Sequence, residues 1–148
     1  MILLLQRVSR ASVRVAGETV GEIGRGLLVF GCVEPADGPE TVDEAARRTA
    51  ELRVFEDEYG KMNLDVIQAG GAVLAVSQFT LAADLSRGWR PGFERAARPG
   101  AARPLFGRYL AVLRASGVPV AAGSFGASME VELVNDGPAT FHWRTKRQ

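Results

Sequence analysis

Two short segments carry the polar groups best placed to do chemistry: Ser77-Gln78-Phe79-Thr80-Leu81 and Asn135-Asp136-Gly137-Pro138-Ala139-Thr140. The first follows the apolar run 72–76, so its polar atoms stand where a buried strand opens into a loop, a common place for a catalytic or binding group. Peptide N–H groups pre-aimed at such a strand end stabilise a developing oxyanion, which is usually the largest single contribution to acyl transfer. The second segment sets a Gly-Pro pair between apolar stretches, where a strand ladder should continue. Proline donates nothing to that ladder, and an X-Pro bond is the one place where a cis peptide costs little. The pair therefore reads as a shaped, projecting piece of backbone.

Other hydrolytic chemistry has few candidates. The one histidine, His142, lies beside Trp143, and no Gly-x-Ser-x-Gly elbow precedes a helix. A Ser77–His142 relay, that of a serine esterase, stays open as an alternative, because triad members meet only in the fold. Asp84, Glu132 and Asp136 lack paired-ligand spacing, so no metal site is expected. Cys32 sits in the apolar run 27–33 and reads as a small core residue. A single cysteine forms no intramolecular disulfide and no multi-cysteine zinc site. With no signal-peptide pattern and no apolar span of about 20 residues, a soluble cytoplasmic protein without membrane contact is expected.

The elements that must position these groups alternate between sheet and helix. At 148 residues and 47% hydrophobic, the chain suits one domain with a proper core, spanning residues 1–148. Short β-rich runs are expected at 2–8, 12–16, 19–23 and 26–33, broken by Gly17, Gly24 and Gly26. Asp37-Gly38-Pro39 then offers a cap and a first-turn proline for a helix. Val42, Ala45, Ala46, Thr49 and Leu52 recur at helical spacing to about Arg53. A strand-and-turn section from Val54 to Gly71 leads to the strand at 72–76. After a loop rich in Gly, Pro and Arg at 84–103, a second helix has an apolar face of Leu105, Phe106, Tyr109, Leu110, Val112 and Leu113, ending near Gly117. Runs at 118–122, 129–135 and 139–143 close the domain as strands. The fold class is α/β, with sheet layers backed by two helices.

Formal net charge is only +1, but its distribution is uneven. Seven arginines, Arg87, Arg90, Arg95, Arg98, Arg103, Arg108 and Arg114, face one acid, Glu94, in the same stretch. Such a segment holds phosphates with strong salt dependence. Arginine outnumbers lysine sixteen to two overall, so coding bias and a solvated face account for the same pattern.

The two opening segments together resemble the paired signatures of the D-aminoacyl-tRNA deacylases. Leu5-Gln6-Arg7-Val8-Ser9-Arg10-Ala11-Ser12-Val13, the stretch from Gly21-Glu22-Ile23-Gly24 to Gly26-Leu27-Leu28-Val29, and Gly60-Lys61-Met62-Asn63 resemble that family as well. The resemblance covers essentially the whole chain. It implies a β/β/α layered fold, a homodimer, a tRNA substrate, and hydrolysis of the ester joining a D-amino acid, or misplaced glycine, to tRNA, without metal or organic cofactor. Ser77, Gln78, Phe79 and Thr80 would be catalytic, with the Phe79 amide as oxyanion donor and the Thr80 hydroxyl orienting ester or water. The neighbouring tRNA 2′-hydroxyl would assist. Leu81, Phe125 and Met129 would bind substrate. The Gly137-Pro138 pair would be cis and reach into the partner's site as a wedge excluding L side chains. Ala139 departs mildly from the family, which more often has a larger β-branched residue there. Arg7, Arg87 and Arg90 would contact the tRNA acceptor end. The competing reading is a tRNA-binding dimer without catalysis.

Overall fold

The strand β1 (Ile2–Val15) organises the sheet. In the computed structural model, which describes residues 1–146, one side of β1 pairs antiparallel with β8 (Glu130–Arg144). Its other side pairs first with β3 (Gly26–Cys32) and then with β2 (Glu18–Ile23). Beyond β3 the pairing turns parallel, β3 with β6 (Ala72–Ser77) and β6 with β7 (Val120–Ala122). β2 closes on β7 so nearly that a Cβ on Gly21 would lie 2.7 Å from the Ala122 carbonyl oxygen. The result is a mixed sheet curled almost into a barrel. β4 (Phe55–Glu56) and β5 (Met62–Leu64) form a separate small ribbon.

Period-two alternation explains both faces of this sheet. Leu27, Val29, Val73 and Ala75 point to the helices α1 (Pro39–Glu51) and α2 (Pro99–Ala115), packing with Val42, Ala45, Phe106, Tyr109 and Leu113. Leu28, Leu74 and Val76 point the other way, into the curl, with Val8, Ala11 and Val13. Strands buried on both faces read as continuous apolar runs, which is why 26–33 and 72–76 stand out in the sequence. Gly26 is required where β3 meets β6, because a Cβ there would sit 1.8 Å from the Ala72 carbonyl oxygen. This close approach fixes how β6 enters the sheet and therefore where Ser77 leaves it.

The two helices are tied to each other as well as to the sheet. The Thr49 hydroxyl donates its only proton to the Ala45 carbonyl, at 3.0 Å, so the Tyr109 hydroxyl, 2.7 Å away, donates to Thr49. Burial pushes the Tyr109 phenol above its ordinary pKa. At the surface Arg108 makes a two-pronged contact with Asp43, at 2.6 and 2.7 Å.

Several boundaries differ from the sequence reading. The runs expected at 2–8 and 12–16 are one strand. β1 passes from β3 to β2 as partner, and its irregularities against β8 near Val8 and Arg10 absorb the exposed Ser9 and Arg10 without breaking the ladder. The runs at 129–135 and 139–143 are likewise one strand, β8, which carries Gly137-Pro138 as an outward bend. Within the expected Asp37-Gly38-Pro39, Gly38 is the cap of α1 and Pro39 its first residue, while the Asp37 carboxylate accepts from the Glu34 amide at 2.7 Å. α2 begins at Pro99, well inside the stretch expected to be loop. Pro99 takes the first-turn position that suits a proline, and the helix runs on through Pro104.

Tyr109→Phe removes the buried proton that joins the helices through Thr49 while leaving the packing volume. Stability should fall by about 1 kcal/mol, read from urea unfolding with an unchanged m-value. A loss below a few tenths of a kcal/mol would show that the Thr49 contact does not tie the helices.

Candidate active site

β6 delivers the first motif. Ser77 is its last residue, paired with Gly31, and the Gln78 amide makes the final ladder bond, to the Gly31 carbonyl at 2.8 Å. The backbone then tightens into a single 3-10 turn, Phe79–Ala82, closed by the Leu81 amide on the Gln78 carbonyl (3.2 Å) and the Ala83 amide on the Thr80 carbonyl (3.1 Å). Two amides, those of Phe79 and Thr80, lie between the end of the ladder and the first bond of the turn. Neither has an acceptor among the described residues. Both residues are exposed, so this consecutive pair of free donors stays accessible to water or to a ligand beside the cleft.

The cleft beside this turn has a volume of about 770 Å³. Ser77, Gln78 and Phe79 form one wall, and Phe125 and Met129 stand among the residues of the others. Thr80 and Leu81 are on the same turn but do not line the cleft. Leu81 packs beneath it against Ile2, Cys32 and Ala82, so its side chain supports the turn. The Gln78 side-chain amide donates to the Thr80 hydroxyl and fixes its orientation. Phe79 is 54% exposed and rests edge-on against Phe93, with ring centroids 5.1 Å apart. Only the fold shows Phe93 bracing this ring.

Cys32 lies under the turn. Its thiol donates to the Phe79 carbonyl at 3.6 Å, and burial, followed by the nearby Glu34 carboxylate, pushes it up to about 11. It is a packing residue and not a nucleophile.

The second motif lies elsewhere. The Gly137-Pro138 bond is cis, and the bend it makes is exposed. Gly137 has φ +136°, and a Cβ on it would meet the Ala139 amide nitrogen at 2.9 Å and an Arg7 Nη2 at 3.1 Å, so glycine is required there. Asn135 braces the bend by accepting from the Ala139 amide at 3.0 Å, with Ala139 buried behind. On either side of the bend, Asn135 pairs with Val8 and Thr140 with Gln6; Gln6 pairs with Leu28, and Leu28 with Leu74. Measured along the sheet, the bend is thus three strand spacings, about 14 Å, from β6, and about three residues, or 10 Å, short of Ser77. It does not line its own chain's cleft.

Arg7 departs from its expected place on an RNA-facing surface. It is 6% exposed, and its guanidinium donates to the Val54 carbonyl (2.7 Å) and the Asp136 carbonyl (3.1 Å), with the Asp136 carboxylate 3.6 Å away. A buried arginine must satisfy its donors internally, and these backbone acceptors do so while pinning the root of the Gly-Pro bend. Arg87 and Arg90 are exposed on the loop between Asp84 and Gly92, which two backbone bonds close at 2.7 and 2.9 Å. Between them stands the fully exposed Trp89, which sequence reasoning did not single out. Two of the seven arginines are neutralised by acids outside their stretch, Arg95 by Asp84 at 3.1 Å and Arg108 by Asp43. Asp84 is itself held below the ordinary carboxylate range, chiefly by the Ser86 hydroxyl.

The Ser77–His142 relay does not form. His142 pairs with Leu4, Leu4 with Phe30, and Phe30 with Val76, which places the imidazole three strand spacings from the end of β6, about 14 Å along the sheet. Among the described residues, no three His, Cys, Asp or Glu side chains gather as a metal site, and no helix is long and apolar enough to cross a membrane.

With its thiol protonated and covered, Cys32 should resist iodoacetamide at pH 8 in the native protein and react fully once the chain is unfolded. Mass spectrometry reads both states, and rapid native labelling would contradict the packing described.

The comparisons with known proteins agree in direction. The family described as D-Tyr-tRNA(Tyr) deacylase matches residues 4–144. The chain is 52% identical over 143 residues to a D-aminoacyl-tRNA deacylase of Alteromonas mediterranea, covering 97% of this chain and 99% of that one. It is 58% identical over 137 residues to one of Symbiobacterium thermophilum, covering 93% and 91%. Among solved structures it superposes on a c-Myc DNA unwinding element binding protein with a TM-score of 0.93 at 36% identity, over 99% of this chain and 100% of that one. A probable eukaryotic D-amino acid tRNA deacylase shares the fold, with a TM-score of 0.81 at 16% identity over 96% and 97%. By sequence across nearly its whole length, the chain belongs to the D-Tyr-tRNA(Tyr) deacylase family.

Proposed function

We propose that this protein hydrolyses the ester between a D-amino acid and tRNA, releasing both, and that it also removes glycine. The observation that carries this reading is the free pair of amides where β6 ends, that of Phe79 at the wall of the cleft and that of Thr80 next to it on the same turn. Water adds to the ester carbonyl carbon, and the developing oxyanion takes the Phe79 N–H. The bond from that carbon to the ribose 3′-oxygen then breaks, and the oxygen leaves with a proton. An aminoacyl ester is already activated, and its vicinal 2′-hydroxyl stands ready to relay that proton, so positioning and oxyanion stabilisation suffice. Thr80 orients rather than attacks. Its hydroxyl accepts from Gln78, keeps its own proton to donate, and has no base beside it.

Selectivity comes from the Gly137-Pro138 bend of a second copy. The bend is exposed, anchored by Arg7 and remote from its own cleft, which supports a two-fold dimer in which each chain completes the other's site. Backbone set against the substrate's α-carbon leaves no room for an L side chain and leaves a D side chain pointing outward, so rejection is steric and broad. Glycine has no side chain to reject. Arg87 and Arg90 hold the acceptor-end phosphates.

One tRNA charged in parallel with D-tyrosine, L-tyrosine and glycine tests the reading, with ester loss followed over time. The D-tyrosyl and glycyl esters should be lost and the L-tyrosyl ester spared by about a hundredfold, the equivalent of the ~3 kcal/mol that an unrelieved overlap costs. His142→Ala should cleave as the wild type does, while Gly137→Ala should gain activity on the L-ester. Persistence of all three esters despite tRNA binding would leave a binding protein. Equal loss of D- and L-esters by the wild type would remove the wedge.

A further inference from the structure

The rim of the cleft carries two arginines with no acid to balance them. Arg98 stands immediately before the first residue of α2, and Arg103 lies in its second turn. Both are exposed side chains among the residues lining the cleft, and that lining includes no aspartate or glutamate. Neither has a carboxylate within ion-pair distance among the described residues, unlike their neighbours Arg95 and Arg108. Arg103 is also held in place. Its guanidinium carbon lies 4.8 Å above the centre of the Phe125 ring, and its Nη2 donates to the Phe125 carbonyl at 3.4 Å. A guanidinium fixed by one face and one N–H keeps its other donors in a rigid fork, the geometry that matches a phosphate oxygen pair.

We infer that Arg98 and Arg103 form a phosphate-binding rim that grips a phosphodiester of the terminal nucleotides of the tRNA while the ester lies against Phe79. This rests on the deacylase reading, because an ester seated in the cleft brings the 3′-terminal phosphodiesters, the substrate's nearest anions, to that mouth. The rim is separate from the Arg87–Arg90 loop. It holds the last nucleotides in the cleft, whereas the loop reaches more distant backbone. Together the two arginines convert a general affinity for RNA into a fixed position of its end, which orientation-dependent ester cleavage requires.

Arg98→Gln, Arg103→Gln and the double variant, with Arg103→Lys as the charge-keeping control, test the assignment on two substrates. One is D-tyrosyl-tRNA; the other is 3′-D-tyrosyl-adenosine, which has the ester and ribose but no phosphate. On the tRNA, each Gln variant should lose about tenfold in kcat/KM, mostly through KM, a loss of the size expected for a charge-assisted hydrogen bond. Any loss on the adenosine ester should be smaller by about that factor. Binding of uncharged tRNA, followed by fluorescence anisotropy, should become less salt dependent by about 0.7 in log–log slope per arginine removed. Arg103→Lys should recover the slope. Equal losses on both substrates, or unchanged tRNA kinetics and an unchanged salt slope, would overturn the rim. Wild-type protein inert on both esters would instead remove the deacylase reading, and the anisotropy series would then judge the arginines alone.

Discussion

The parallel pairing of β3 with β6 is the constraint on which the rest of the structure depends. Both strands are buried on both faces, so neither shifts without exposing a row of Leu and Val side chains on each side of the sheet. The glycine contact at Gly26 sets their separation at the start, and the Gln78–Gly31 bond ends the ladder two amides before the 3-10 turn closes. The free donors of Phe79 and Thr80 are a consequence of that termination. The sheet itself places them, and Phe93, Cys32 and the Gln78 side chain keep the turn from repacking. A site made this way needs no reactive side chain, in keeping with a fold whose one cysteine is buried in packing and whose one histidine lies three strand spacings from the end of β6.

The second anchor is Arg7. Burying a guanidinium is costly unless its donors are satisfied, and here the acceptors are backbone carbonyls brought from Val54 and Asp136. The arginine therefore couples the middle of β1 to the segment after α1 and to the root of the Gly-Pro bend. This makes the bend a rigid projection instead of a flexible loop, and rigidity is what a steric selector requires. The bend on β8 and the end of β6 lie three strand spacings apart, which is why the proposed function needs two chains to bring catalytic amides and selector together.

The sequence was most legible where one local rule dominated. Uninterrupted Val and Leu runs revealed the doubly buried strands, the Gly-Pro pair revealed a bend, and helical spacing revealed both helices. It misled where the outcome depended on partners distant in the chain. Ser9 and Arg10 look like a break in β1, yet the ladder continues because β2 takes over from β3 as partner. The Gly, Pro and Arg content of 84–103 argued for loop, yet Pro99 opens α2. Arg7 was expected to contact tRNA, and its burial was not legible because its acceptors lie 47 and 129 residues away. Arg98 and Arg103 were visible only as part of a charge run, and the fold separates them from Arg95 and Arg108 by giving those two acidic partners.

The central claim is that chemistry and chirality come from different copies of the chain, and mixed dimers test it directly. Gly137→Ala protein, with live amides and a damaged wedge, would be mixed with excess Phe79→Pro protein, which lacks the oxyanion donor but has an intact wedge, and allowed to exchange subunits. Loss of D- and L-tyrosyl-tRNA would then be followed. If the wedge acts across the dimer, cleavage of the L-ester should disappear on mixing while cleavage of the D-ester persists, because every live site now faces an intact bend. Continued cleavage of both esters at the unmixed ratio would place the selector in the same chain as the amides and contradict the account.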